Sequence, residues 1–296
     1  MFQNNRTMLL RVFFIVSLCA FLSCSKDTPA PNFDEQLIKD LVSIDSYLKS
    51  NNINAQSDPD NYIRYVVNSQ GLGNYPTYMA DSITVTYNFQ LLPSQTQVQA
   101  ATTPVRFLLG DLIPGWQIGL PLINEGARAT FYIPSGLGYG TTGTGSGANS
   151  VPPNSNLIYE IQLLKVVPQL KKDTIAVNSF LKSNSISNVI TDPSGLKYVI
   201  STLGTGSKPT LDNSITFSYS GKLLSSGVIF EQSSSPVSAQ MKSFTIKGFQ
   251  LGMLRLPQGS KATFYIPSVL GYGLRSSQTI PRNANLIFEV ELVSIN

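Results

Sequence analysis

ATFYIPSGLGYG at 129–140 returns as ATFYIPSVLGYG at 262–273, with one position in twelve changed. Downstream, LIYEIQL at 157–163 answers LIFEVEL at 286–292; upstream, ITVTYNFQLL at 83–92 answers ITFSYSGKLL at 215–224. The offset is 133 for the first block and 129 for the second, so the first copy carries four more residues between them, in 141–150. Two ordered sets of matching blocks mean one structural unit written twice. Each copy also opens with a helix-like segment, FDEQLIKDLVSIDSYLK at 33–49 and KKDTIAVNSFLK at 171–182. In the first of these, Leu37, Leu41, Ile44 and Leu48 recur at helical spacing.

Alternating apolar runs bounded by Gly, Pro, Asn and Asp read as strands. They are 62–67, 83–91, 129–133 and 157–166 in the first unit, and 198–201, 215–223, 262–266 and 286–295 in the second. A helix followed by a run of strands is an α+β order, distinct from βαβ alternation. The expected organisation is a leader at 1–23, a tether at 24–32, one unit at 33–167 and another at 168–296. The joint between units is expected around 168–172.

Of 296 residues, 42% are hydrophobic and 13% charged, a globular composition. The formal net charge is +4, and Arg6 and Arg11 lie in the leader, so about +2 remains on the body. That is too little for nucleic acid, and no basic stripe interleaved with aromatics occurs. Histidine is absent, which excludes Ser-His, Cys-His and His-metal chemistry within the chain. The two cysteines, Cys19 and Cys24, leave the body without a disulfide framework or thiol nucleophile.

The first 24 residues, MFQNNRTMLLRVFFIVSLCAFLSC, place basic residues before an apolar run at 12–22. A run of eleven positions is too short to cross a membrane core of about 30 Å as a helix. It fits a secretory signal. Phe21-Leu22-Ser23-Cys24 resembles a bacterial lipobox, which implies acylation at Cys24; Phe21 departs from the usual leucine. The alternative is a cleaved signal with an incidental cysteine. The lipobox resemblance implies an exported protein anchored by lipid to a bacterial membrane, facing the periplasm or the cell surface.

LIPGWQIGLPLINEGARATFYIPSGLGYG with VPPNSNLIYEIQLLKV, and IKGFQLGMLRLPQGSKATFYIPSVLGYG with IPRNANLIFEVELVSI, resemble the C-terminal half of FKBP-type peptidyl-prolyl cis-trans isomerase domains. The resemblance covers about 61–166 and 192–296, leaving the helix-like segments outside it. It implies a twisted antiparallel sheet wrapped around a short helix, near 115–122 in one unit and 248–256 in the other. It implies isomerisation of Xaa-Pro bonds in polypeptide clients, without cofactor or metal.

The resemblance also assigns residues. In the second unit Tyr219, Phe230, Phe249, Tyr272, Ile280 and Phe288 would wall the pocket. The N–H of Ile246 and the hydroxyl of Tyr272 would hold substrate carbonyls. Glu231 stands where aspartate is usual, and Phe249 where tryptophan is usual. In the first unit Tyr87, Ile113, Trp116 (the floor), Tyr139, Val151 and Tyr159 correspond. Val98-Gln99 replaces the aromatic-acid pair there, so a gap is expected beside the valine and lower activity with it. Any one such aromatic is by default core; the functional reading rests on the ordered set occurring twice. A non-catalytic chaperone or proline-segment binding module remains the alternative. Gly138-Tyr-Gly140-Thr-Thr-Gly143 has the glycine spacing of a dinucleotide fingerprint, but it runs into SGANSVPPN, which cannot open the helix that motif requires.

Overall fold

The computed structural model describes residues 33–60, 62–147 and 150–296. The expected leader, the tether and Cys24 lie outside the described residues. Among the described residues no helix is long and apolar enough to cross a membrane.

The first unit contains helix α1 (Phe33–Ser50) and strands β1 (Gln56–Ser57), β2 (Arg64–Ser69), β3 (Ser82–Leu92) and β4 (Gln97–Leu108). Helix α2 (Pro114–Gly119), β5 (Arg128–Ile133) and β6 (Asn156–Val167) complete it. Its sheet is ordered β1-β2-β5-β6-β3-β4 and every pairing is antiparallel. The second unit contains α3 (Gln169–Ser183), β7 (Ile190–Thr191), β8 (Lys197–Thr202), β9 (Ser214–Leu223), β10 (Ile229–Gln232) and β11 (Val237–Gln240). It ends with α4 (Lys247–Met253), β12 (Lys261–Ile266) and β13 (Leu286–Ile295). Its sheet runs β10-β9-β13-β12-β8-β7, with β11 also paired to β9.

Side chains alternate across a strand, and the repeated FYI triplet shows what that does here. Phe131 and Ile133 enter the inner core with α2, whereas Tyr132 turns outward to meet Ile44 and Leu48 of α1. Phe264 and Ile266 likewise face inward, while Tyr265 meets Val177 and Leu181 of α3. Each unit therefore has three layers: leading helix, sheet and short inner helix. The expected α+β class is observed.

Some boundaries differ from expectation. The joint is a single residue, Pro168, because β6 ends at Val167 and α3 begins at Gln169. Proline's fixed φ, here −62°, suits the entry to a helix. The N–H of Gln169 donates to Asp81 Oδ1 of the first unit at 2.7 Å. Asp81 is fully buried and its other oxygen accepts from the N–H groups of Thr77 and Tyr78, so the start of α3 is tied down. Strand β4 was not evident from the pattern, since QVQAATTPVRFL holds a proline and little alternation. It lies at a sheet edge, where proline is tolerated. Helix α4 stops at Met253, short of the expected 256, ahead of Pro257.

Candidate active site

Helix α4 lies against the inner sheet face because Gly248 has no side chain. A Cβ there would stand 2.4 Å from Ile266 Cγ2. The close approach sets Phe249 at the floor of a ring of aromatics. Its ring centre is 5.0 Å from Phe288 and 6.2 Å from Tyr219, both near edge-to-face. Phe230 meets Phe288 at 5.7 Å and Tyr272 at 6.3 Å, closing the side wall. Such pairs contribute about 0.5–1.5 kcal/mol each beyond burial. Ile246, just ahead of α4, and Ile280 pack into the same cluster.

Phe249 and Phe288 are buried, while Tyr219, Phe230 and Tyr272 are half-buried, so the floor is dry and the rim is open. At that rim the Tyr219 hydroxyl donates to Glu231 Oε1 at 2.7 Å. Burial, then the bond to Glu231, holds the Tyr219 phenol above its ordinary 10.0. Burial also raises Tyr272; the charge of Glu231 adds to this and Arg275 opposes it. Both phenols therefore stay protonated near neutral pH, and the Tyr272 hydroxyl stays available as a donor.

Two neighbours of the floor were not singled out in the sequence. Phe217 lies 5.6 Å and Phe244 5.0 Å from Phe249. Phe217 occupies the position of Val85 in the repeat, so bulk lost on changing tryptophan to Phe249 is recovered beneath it.

The first unit assembles a related cluster. Trp116 stands edge-on to Tyr87 at 5.4 Å and to Tyr159 at 5.1 Å, with Ile113, Tyr139 and Val151 packed in the same core. The hydroxyls of Tyr139 and Tyr159 are 3.5 Å apart. Burial drives the Tyr159 phenol far above 10.0, with the Tyr139 contact adding to it. Burial likewise raises Tyr87. Among the described residues the buried Trp116 Nε1 has no hydrogen-bond partner, a cost of about 1–3 kcal/mol.

Of the exchanges between the two clusters, one decides which side chain fills the space beside the short helix. Register pairs Gly221 with Glu231 on β9 and β10, and Phe89 with Gln99 on β3 and β4, so Phe89 stands where the second unit has Gly221. The space over Gly221 is taken by neighbours: a Cβ there would lie 2.8 Å from Phe288 Cε1 and 2.9 Å from Phe230 Cζ. In the first unit Phe89 fills that space itself. It stacks on Tyr159 at 4.4 Å and 10°, approaches Tyr139 at 6.1 Å and is 2% exposed. The gap expected beside Val98 is therefore absent. Val98 is buried in a core that Phe89 has closed. The signal was present in the repeat as Tyr-Asn-Phe against Tyr-Ser-Gly.

The sequence matches the family model of FKBP-type peptidyl-prolyl cis-trans isomerases at 76–164 and 205–293, more than half of the chain. The chain belongs to that family. Over 106 residues it is 38% identical to a probable FKBP-type peptidyl-prolyl cis-trans isomerase FkpA of Neisseria meningitidis, covering 35% of this chain and 38% of that protein. It is 31% identical over 160 residues to the outer membrane protein MIP of Legionella longbeachae, covering 47% of this chain and 68% of that protein. The crystal structure of FkpA from Escherichia coli aligns at 26% identity and TM-score 0.38, covering 43% of this chain and 63% of that one. The chain spans about two fifths or less of the length of the first curated relatives it matches. Both FKBP matches begin after the leading helices α1 and α3.

Proposed function

We propose that this chain is a peptidyl-prolyl cis-trans isomerase whose turnover resides in the pocket of the second unit, 168–296. The observation that carries this reading is the open-rimmed aromatic cup of Phe249, Phe288, Phe230, Tyr219 and Tyr272, with Gly221 leaving room for it. Rotation about an amide costs about 18–20 kcal/mol because twisting destroys resonance. Uncatalysed Xaa-Pro exchange takes tens to hundreds of seconds. No covalent bond changes, so the catalyst must favour the twisted amide over both planar forms. The twisted amide has lost resonance polarity, and a dry aromatic floor costs it less than it costs a planar amide. The proline ring would rest on Phe249 between Phe230 and Phe288. The Tyr272 hydroxyl and the Ile246 N–H would hold the flanking carbonyls, while Glu231 keeps Tyr219 in place through their hydrogen bond.

The first unit, 33–167, carries a related set, Tyr87, Trp116, Tyr139 and Tyr159, with Val98 in the place of Phe230 and Phe89 filling the space between them. Its role in this reading is to bind and support, with little turnover of its own. Clients are proline-containing segments of exported polypeptides, whose folding Xaa-Pro exchange would limit. The direct test is a protease-coupled assay of the full chain on a proline peptide. Acceleration of the slow phase in proportion to protein concentration supports the reading; none at micromolar protein sinks it.

The lipobox-like 21–24 adds an anchor at Cys24, with 24–32 as the tether. On this account Cys24→Ser accumulates as an unprocessed precursor that takes up no labelled fatty acid. Normal processing and labelling of that variant would point to the ordinary-signal alternative.

A further inference from the structure

Helix α3 lies outside the family match, yet it reaches the strand-to-pocket turn through a buried carboxylate. Asp173 is 1% exposed and both its oxygens are engaged. Oδ1 accepts from Gln169 Nε2 at 2.8 Å, and Oδ2 accepts from the hydroxyl of Ser268 at 2.6 Å and the N–H of Val269 at 3.4 Å. Ser268 is fully buried and begins a 3-10 turn, Ser268–Leu270, which Gly271 joins to Tyr272. Its N–H donates to Asn285 Oδ1 at 2.9 Å. Its carbonyl accepts from the N–H groups of Gly271 at 3.0 Å and Gly273 at 2.9 Å. The two residues flanking Tyr272 thus hang from one carbonyl, and Asp173 fixes the residue that owns it.

The first unit repeats the device with one change: the Ser135 N–H reaches Asp40 Oδ2 at 2.9 Å, where Asp173 Oδ2 takes the N–H of Val269. Asp40 of α1 accepts from Gln36 at 2.8 Å and from the Ser135 hydroxyl at 2.6 Å; Asn156 accepts from the Ser135 N–H. The Ser135 carbonyl accepts from Gly138 at 3.0 Å and Gly140 at 2.8 Å, on either side of Tyr139. Docking alone does not call for such a group. Val177 and Leu181 already seat α3 on the sheet, and an apolar pair of similar volume does as well as a buried charge. What a fully bonded carboxylate adds is a fixed geometry for the turn it grips.

We infer that Asp173, on a helix that precedes the family match, is a positioning residue that sets Tyr272 through Ser268. The leading helix is thereby part of the second active site. This rests on the reading that turnover resides in the second pocket.

The test uses the full chain with Asp173→Ala, Asp173→Asn and Val177→Ala, followed by proline-peptide kcat/KM, urea midpoint and the ring resonances of Tyr272. A misplaced contact near reacting atoms lowers the rate steeply, so Asp173→Ala is expected to lower kcat/KM by roughly tenfold or more. Asp173→Asn keeps an acceptor for Ser268 and restores most of the rate. Val177→Ala lowers the midpoint and leaves the rate within about twofold, since it loosens docking without releasing the turn. Asp173→Ala also shifts and broadens the Tyr272 ring signals, and Val177→Ala does not. An unchanged rate in Asp173→Ala, or equal rate losses in Asp173→Ala and Val177→Ala, overturns the inference. If the wild-type chain shows no turnover, the functional reading has failed instead; the Tyr272 ring signals then decide the positioning claim, and unchanged signals in Asp173→Ala overturn it.

Discussion

Gly221→Ala is the smallest change that probes the difference between the pockets. The new Cβ would meet Phe288 Cε1 at 2.8 Å, Phe230 Cζ at 2.9 Å and Phe230 Cε2 at 3.0 Å. Those separations are below ordinary contact, so one ring must move. Phe288 is 2% exposed and backed by Phe249 at 5.0 Å. Phe230 is half-buried on a short edge strand, so it yields first. Overpacking of this kind costs about 1–3 kcal/mol. Swinging Phe230 outward relieves the clash and removes a proline-facing wall, an apolar contact of about 1–3 kcal/mol. If the wall acts mainly in the transition state, kcat/KM falls by about 5- to 150-fold. A protease-coupled proline-peptide assay of the full chain reads that loss, and a urea midpoint checks that the fold persists. A variant that folds and keeps its rate within about twofold would refute the claim that the Gly221 space sustains the pocket.

Phe89 is 2% exposed, so Phe89→Ala is expected to destabilise the first unit by about 3–5 kcal/mol, read as a lowered urea midpoint; a loss under about 1 kcal/mol would show that its ring does not fill that core. Burial raises the Asp173 carboxyl above its ordinary 3.8, while the bonds from Ser268 and Gln169 partly oppose it. The folded state then holds this proton more tightly than the unfolded chain. The matching stability is fully present below 3.8 and is lost as pH rises through the higher folded value. Asp173→Asn carries no such loss, so the variant's stability relative to wild type should increase between pH 3 and pH 7; a constant difference would contradict this.

How much was legible depended on whether the signal was local. The duplicated blocks at 129–133 and 262–266 announced strands, and the structure covers both faces of each. Leu37, Leu41, Ile44 and Leu48 announced a helix, and its contact partners lay far along the chain where no pattern could point. Strand β4 was hidden because edge strands need neither alternation nor freedom from proline. Phe230 and Val98 occupy matching positions in the two copies. The gap expected beside Val98 is filled because Phe89 enters the same space from a neighbouring strand; the repeat shows the Phe-for-Gly exchange, and the register places its ring. The Asp173–Ser268 bond spans 95 residues and unites two residue types that are individually unremarkable in sequence.

The central claim is that turnover resides in the second pocket. The most direct measurement compares full-chain catalysis of proline-peptide exchange in wild type, Tyr272→Ala and Tyr139→Ala. The account predicts acceleration by wild type, loss of most of it in Tyr272→Ala, and little change in Tyr139→Ala. Equal losses in the two variants, or a greater loss in Tyr139→Ala, would contradict it.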